Sequence, residues 1–451
     1  MDNKNTSMLD GTIWKSIVSF ALPLLLGNLF QQLYNTVDSL IVGNWLGSSS
    51  LAAVSSSGSL IFMLIGFIQG ISSGAGVIVA RLFGAKDTKN LNLAVHTTVA
   101  FGLAAGLFMT FVGVVFTPQI LELMDTPENV LGESIEYLQI YFMGSLGFIM
   151  YNIFVGILQA VGDSKHPLYY LMVSSVVNLV LDLVFIAVFN SGVGGAAIAT
   201  VISQFASALL CLRRLIFTNE PYKLSPRKIR FHGRLLWQII KVGLPSGVQN
   251  SIIAFANVVV QSNINSFGDV TMAGCGAYSK IEGFGFLPIT SFTMALTTFV
   301  GQNLGAKQYD RTKKGARFGI LVTIICAELI GIIVFIFAPI LIAAFDRNPE
   351  VIRIGIEKAR TSALFYFLLA YSHAVSAVLR GSGKAVVPMA VMMIFWCVVR
   401  VAFLTITVPL THSIQMLYWV YPLTWFLSSV TFLFYYKKAD WMHSYKGIEN
   451  S

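Results

Sequence analysis

Two aspartates have the most chemistry to offer in this chain. Asp38 lies in an apolar stretch from about Ile17 to Trp45, and Asp182 lies in another such stretch. A carboxylate in the middle of a bilayer-length apolar segment costs about 2.5–3.5 kcal/mol to insert, so an acid there calls for a function. Gln31, Tyr34, Asn35 and Asp38 follow one another at i, i+3, i+4 and i+7, which is one face of a helix. Ser174, Asn178 and Asp182 repeat at i+4 steps, and a further stretch offers Thr200, Ser203 and Gln204. Brought together, these groups supply two carboxylates, an amide carbonyl and hydroxyls. Such a set can hold protons, because two neighbouring acids in apolar surroundings do not both ionise readily. It can equally hold Na⁺, a hard cation that favours oxygen ligands. The plainer alternative is a set of interhelical hydrogen bonds, each worth about 0.6 kcal/mol.

The elements that position these residues are membrane helices. The chain has 451 residues, of which 55% are hydrophobic and 11% charged, with mean hydropathy +0.73. Soluble chains carry roughly 25% charged residues. A membrane helix needs about 20 apolar residues. Twelve such spans are expected, at about 15–46, 52–77, 94–116, 135–160, 167–188, 195–216, 236–262, 275–300, 316–338, 360–380, 386–407 and 414–435. The fold class is therefore an all-α integral membrane protein with a lipid bilayer as its solvent.

The net charge of +9 does not require a nucleic-acid partner. Of the 30 Lys and Arg residues, 23 fall in the tails and alternate loops. Four lie in the intervening loops (Arg347, Arg353, Lys358, Arg360), and Lys241, Lys280 and Arg400 lie within spans. This asymmetry places both termini in the cytoplasm and the chain in the cell membrane. Cys211, Cys275, Cys326 and Cys397 have no CxxC spacing, so neither a disulfide framework nor a metal site is expected. The polar stretch Met1 to Asp10 has no cleavable apolar core, and a removable signal peptide is not expected.

The chain repeats itself after about 221 residues. IVSFALP ending at Pro23 matches IIKVGLP ending at Pro245, and LFGAKD at Leu82 matches NLGAKQ at Asn303. PQILELMDTPENV from Pro118 matches PILIAAFDRNPEV from Pro339, and LQAVGDSKHP from Leu158 matches LRGSGKAVVP from Leu379. The expected organisation is a six-helix bundle over 1–216, a basic cytoplasmic linker over 217–235 and a second bundle over 236–451. Six is an even number, so both bundles insert with the same orientation. They are then related by a pseudo-twofold axis along the membrane normal, with the cleft between them as the natural substrate site. The repeat omits the acids: Asp38 maps near Val260, Asn178 onto Val399 and Asp182 onto Phe403.

Pro23 removes a backbone hydrogen bond ahead of Asp38, so a hinge there would couple the acid to helix shape. Pro245 at the matching position fits a static kink equally well. In the second half Lys280, Glu282 and Arg400 lie within spans, and a structural Glu282–Arg400 or Glu282–Lys280 contact is expected. Glu328 is a further isolated acid. Asn250, Asn257, Gln261 and Asn265 form a polar stripe, as do Tyr366, His373 and Ser376. Both stripes fit a cavity lining or interhelical hydrogen bonds.

The duplicated layout, with ALPLLLGNLFQQLYNTVDSLIVGNWLG, ARLFGAKD, LQAVGDSKHP and VVNLVLDLVF, resembles the multidrug and toxic compound extrusion (MATE) family over essentially the whole chain. The resemblance is greatest to the DinF-like branch and implies a cation site at Asp38, Asn178, Asp182 and Thr200. The glutamate early in helix seven that marks the NorM-like branch is missing: Ser246 to Phe255 has no acid, and Ile253 stands near the expected position. The resemblance implies an antiporter with no cofactor, which exports small amphipathic organic cations as H⁺ or Na⁺ enters and needs no obligate protein partner. A flippase for lipid-linked saccharides is the alternative, although a pyrophosphate headgroup calls for clustered arginines. No GxGD-type protease motif surrounds either aspartate, and no Walker-type loop is present, so an enzyme is not expected.

Overall fold

The computed structural model describes residues 8–123, 126 and 128–443, and within them every regular element is a helix. In chain order these are α1 (Ile13–Gly84), α2 (Thr88–Leu123), α3 (Glu128–Met143), α4 (Ser145–Ala160), α5 (Lys165–Asp182), α6 (Gly192–Ile216) and α7 (Gly233–Asn265). They continue as α8 (Asp269–Gly305), α9 (Tyr309–Ala343), α10 (Pro349–Ala363), α11 (Tyr366–Gly381), α12 (Val386–Met392), α13 (Arg400–Thr411) and α14 (Ile414–Lys438). Ten helical segments are long and apolar enough to cross a bilayer, or twelve if each of two bent pairs counts as one span. The pairs are α3/α4, bent by 48°, and α10/α11, bent by 53°. The twelve expected spans thus correspond to these segments, with two differences. The stretch near 47–51, expected as a loop between the first two spans, stays helical within α1. The proline inside α1, Pro23, lies far upstream. The span expected from residue 360 instead starts at Pro349, where Asn348 caps the helix by accepting from the Glu350 N–H at 3.0 Å.

The duplication is visible in the backbone itself. Lys86 and Lys307 both take positive φ, 55° and 57°, at the end of the two matching GAK turns. In each turn the two following amides return to carbonyls of the last helical turn: Lys86 N–H to Phe83 and Asp87 N–H to Leu82, Lys307 N–H to Leu304 and Gln308 N–H to Asn303. Gly162 (φ 94°) and Gly383 (φ 84°) form a second matching pair. π-helical segments also recur, at Leu183–Val188 after α5 and at Met393–Val399 between α12 and α13.

The chain folds into two compact units. Among the described residues, one comprises Leu26–Gly243 and the other Met8–Leu25 with residues 244–443. The boundaries between the units fall inside helices, after Leu25 in α1 and after Gly243 in α7. In the first unit the small residues allow backbones to meet: a Cβ on Gly74 would collide with the backbone of Gly243. In the second unit Ile17, Phe20, Ala21 and Leu24 pack on Ala295 and Phe299. Arg311 fastens the segment ahead of them, donating to the carbonyls of Met8, Asp10 and Gly11 at 2.7–3.4 Å.

Candidate functional site

In the first unit α1, α5 and α6 bring the four expected residues together. The carboxyls of Asp38 and Asp182 are in hydrogen-bonding contact with each other. In the amide orientation that satisfies both neighbours, Asn178 donates to Asp182 Oδ2 at 2.7 Å and accepts from the Thr200 N–H at 3.2 Å. The Tyr34 hydroxyl bonds the Thr200 side chain. Ser174 Oγ donates to the Ser203 carbonyl at 2.8 Å and ties α5 to α6 one turn away. Asn178 and Asp182 are buried, and Asp38 is half-buried. The walls are apolar, with Ile41, Ile186, Val193, Ala196 and Ala197 in one cluster.

Two features make this more than a set of helix–helix hydrogen bonds. Oδ1 of Asp38 and Oδ1 of Asp182 are both buried and accept no hydrogen bond. Among the described residues neither carboxyl has a basic partner within ion-pair distance. Two touching carboxyls in an apolar wall need a proton or a cation between them. The backbone is also unusual here: the helix widens to π-helical hydrogen bonding at Leu183, immediately past Asp182.

Other expected site residues are placed less centrally. Gln31 is half-buried, Asn35 is exposed, and Gln204 is half-buried with an unsatisfied Oε1. Pro23 is buried inside α1, in the part that belongs to the second unit. Sequence reasoning missed Tyr137, which lies close enough to Asp38 and Asp182 to feel both charges and stacks with Tyr141 at 6.4 Å. Its signal was present as an i, i+4 pair of tyrosines in the segment EYLQIY.

The second unit differs from expectation. Glu282 forms no ion pair with Arg400 or Lys280; its carboxylate accepts from the Tyr278 hydroxyl at 3.1 Å, and Tyr278 meets the Tyr366 hydroxyl at 2.9 Å. Lys280 is exposed, because two residues along a helix turn a side chain to the far side. Arg400 donates to Thr424 Oγ1 at 2.9 Å and lies over the rings of Tyr421 and Trp396. Glu328 accepts from the Phe367 N–H at 3.0 Å and so satisfies an amide at the start of α11, past the bend. His373 sits edge-on between Phe286 and Trp396. On α7 Asn257 and Gln261 are exposed, Gln261 donates to Asn265 at 2.8 Å, and Ile253 packs against the core.

A polytopic helical membrane protein with a bare acid pair inside one half is the kind of molecule that moves solutes. The MatE family profile matches residues 23–184 and again 245–406, one copy in each half. The chain belongs to the MatE family, whose members are transporters and not enzymes. "Probable multidrug resistance protein YoeA" of Bacillus subtilis is 31% identical over 384 residues, 84% of this chain and 83% of its own. "Probable multidrug resistance protein NorM" of Thermotoga maritima is 26% identical over 392 residues, 84% of this chain and 82% of its own. Among solved structures, an outward-facing multidrug resistance MATE family transporter of the MOP superfamily superposes with TM-score 0.89 at 23% identity, covering 96% of this chain and 97% of that one. A MOP superfamily transporter from Pyrococcus furiosus gives TM-score 0.90 at 23% identity, covering 97% and 98%. At that identity the likeness concerns the fold.

Proposed function

We propose that this protein is a multidrug exporter that moves small amphipathic, cationic solutes out of the cell in exchange for H⁺ or Na⁺. The multidrug part is carried by relatives such as YoeA, which match over most of both chains. The exchange is carried by one observation: Asp38 and Asp182 touch, each has a buried oxygen without a partner, and among the described residues neither has a basic partner within ion-pair distance. Asn178 and Thr200 are the neutral oxygen-bearing groups that complete the site. Their match to the DinF-like pattern agrees with this reading.

Entry of a proton or Na⁺ lowers the negative charge of the acid pair by one. The state of Asp38 then biases α1, with Pro23 as the hinge, and solute is released on the far side. One-for-one exchange of monovalent cations moves no net charge, so the ion gradient alone drives it. If the solute is neutral, each entering charge contributes about 2.3 kcal/mol per 100 mV, enough for roughly 50-fold uphill pumping. The working membrane is the plasma membrane, with both termini on the cytoplasmic side, as the distribution of Lys and Arg supports.

The test is ethidium movement in reconstituted vesicles under an imposed pH or Na⁺ gradient, for wild type and Asp38→Asn. Movement driven by one gradient and lost in the variant supports the exchange and names the ion. Normal movement in Asp38→Asn refutes it.

A further inference from the structure

The interior of the second unit buries basic groups that the exchange reaction does not use. Lys358 is 3% exposed and Arg400 1% exposed. Lys358 comes from α10, a segment whose basic residues were all expected to lie in a loop. Its ammonium lies over the rings of Tyr278 and Tyr421, at 5.4 and 5.7 Å. Arg400 lies over the same Tyr421 ring at 4.6 Å. The two cations therefore share one aromatic neighbour.

The acids do not balance them. Glu282 feels both cations but pairs with neither within ion-pair distance, and its hydrogen bond comes from Tyr278. Glu357, next to Lys358 in the chain, turns away and pairs with Arg353 at 3.0 Å. Asp38 and Asp182 belong to the other unit. Two basic groups and one carboxyl leave an excess of one positive charge. The donors are also short of acceptors: Arg400 Nε is buried without a partner, and among the described residues the Lys358 ammonium meets only ring faces. A buried unpaired charge is costly, and buried donors without acceptors call for a missing ligand.

We propose that the second unit holds a site for one negative charge, contacted by Lys358 Nζ and Arg400 Nε beside Tyr421. The ligand is a small monovalent anion or the carboxylate of an amphipathic solute. Both present the single charge that neutralises the cluster. The tyrosine and tryptophan rings around it suit an apolar body attached to that charge. The site is independent of the acid pair, so the exchange mechanism and this proposal can fail separately.

The test is thermal unfolding of the purified full-length protein in lipid nanodiscs. Sodium chloride, or sodium benzoate in a second series, replaces the salt of a bulky morpholine sulfonate at constant ionic strength. The expected result is a saturable rise in Tm of about 2 °C for wild type. Lys280→Gln, which removes the exposed charge on α8, should retain that rise. Lys358→Met and Arg400→Met should lose it, and Lys358→Arg should restore it. The Lys358→Arg variant keeps the charge, so it separates a lost ligand from a damaged fold. A rise with chloride alone assigns an inorganic anion, a rise with benzoate alone assigns an organic carboxylate, and a rise with both assigns a site that reads charge only. No rise in wild type, an undiminished rise in Lys358→Met, or a loss in Lys280→Gln overturns the proposal.

Discussion

In the first unit the groups at the centre are two touching carboxyls, Asp38 and Asp182, with Asn178, Thr200 and Tyr34 around them. In the second unit Lys358 and Arg400 are buried instead, and the carboxyl of Glu282 feels both. The backbones repeat down to the left-handed residues that end their helices, Lys86 with Lys307 and Gly162 with Gly383. Packing and turn chemistry are thus common to both halves, whereas the sign of the buried charge is not. A duplicated scaffold needs the same small residues and the same helix ends twice. It does not need the same ionisable groups, because those are expensive in a membrane and persist only where they do something.

The comparison breaks most decisively at the acid pair. Asp38→Asn or Asp182→Asn should reduce gradient-driven dye movement to background while the protein remains in the membrane, as measured by vesicle efflux with quantified incorporation. If either variant keeps driving force, the acids are structural and the two halves do not differ in the way argued here. A smaller effect is expected at the neutral partner. Thr200→Val removes the hydroxyl that Tyr34 bonds but leaves the backbone N–H that Asn178 accepts from, and should weaken apparent affinity for the coupling ion about tenfold. The concentration dependence of efflux on the ion reads this out.

Glu282→Gln sharpens the contrast from the other side. It removes the carboxyl that both cations feel, so chloride should bind about tenfold more tightly in the unfolding assay. Coupled dye movement should stay within about twofold of wild type. Loss of coupling instead would give the second unit a share in the exchange. The smallest effect concerns stability. Arg311→Ala frees the Met8–Gly11 segment from the second unit and should cost about 1–2 kcal/mol, read as a lowered unfolding temperature with transport retained.

Much of this was legible before any coordinates, and the particular residues show why. Asp38 and Tyr34 share a face because helical spacing puts them there, and Asn178 and Asp182 do so for the same reason. The GAK and GD turns announced the repeat because an αL helix end needs specific local chemistry. Lys358 was misplaced because its polar surroundings, RIGIEKAR, read as a loop between spans. It is instead the buried face of α10, which is amphipathic and covered by Tyr278 and Tyr421. The expected Glu282–Arg400 pair failed because each found another partner, Glu282 the Tyr278 hydroxyl and Arg400 the Thr424 hydroxyl.

The sequence by itself determined the helices, their membrane setting, the duplication and the face on which each acid lies, because all four depend on local periodicity and composition. Only the tertiary structure decided which faces meet. It set Asp38 against Asp182, put Tyr137 beside them, gave Glu282 to Tyr278 and left Arg400 Nε without an acceptor. The physical reason is that a helix specifies its own stripe of side chains, while the partner of that stripe depends on the packing of helices distant in the chain.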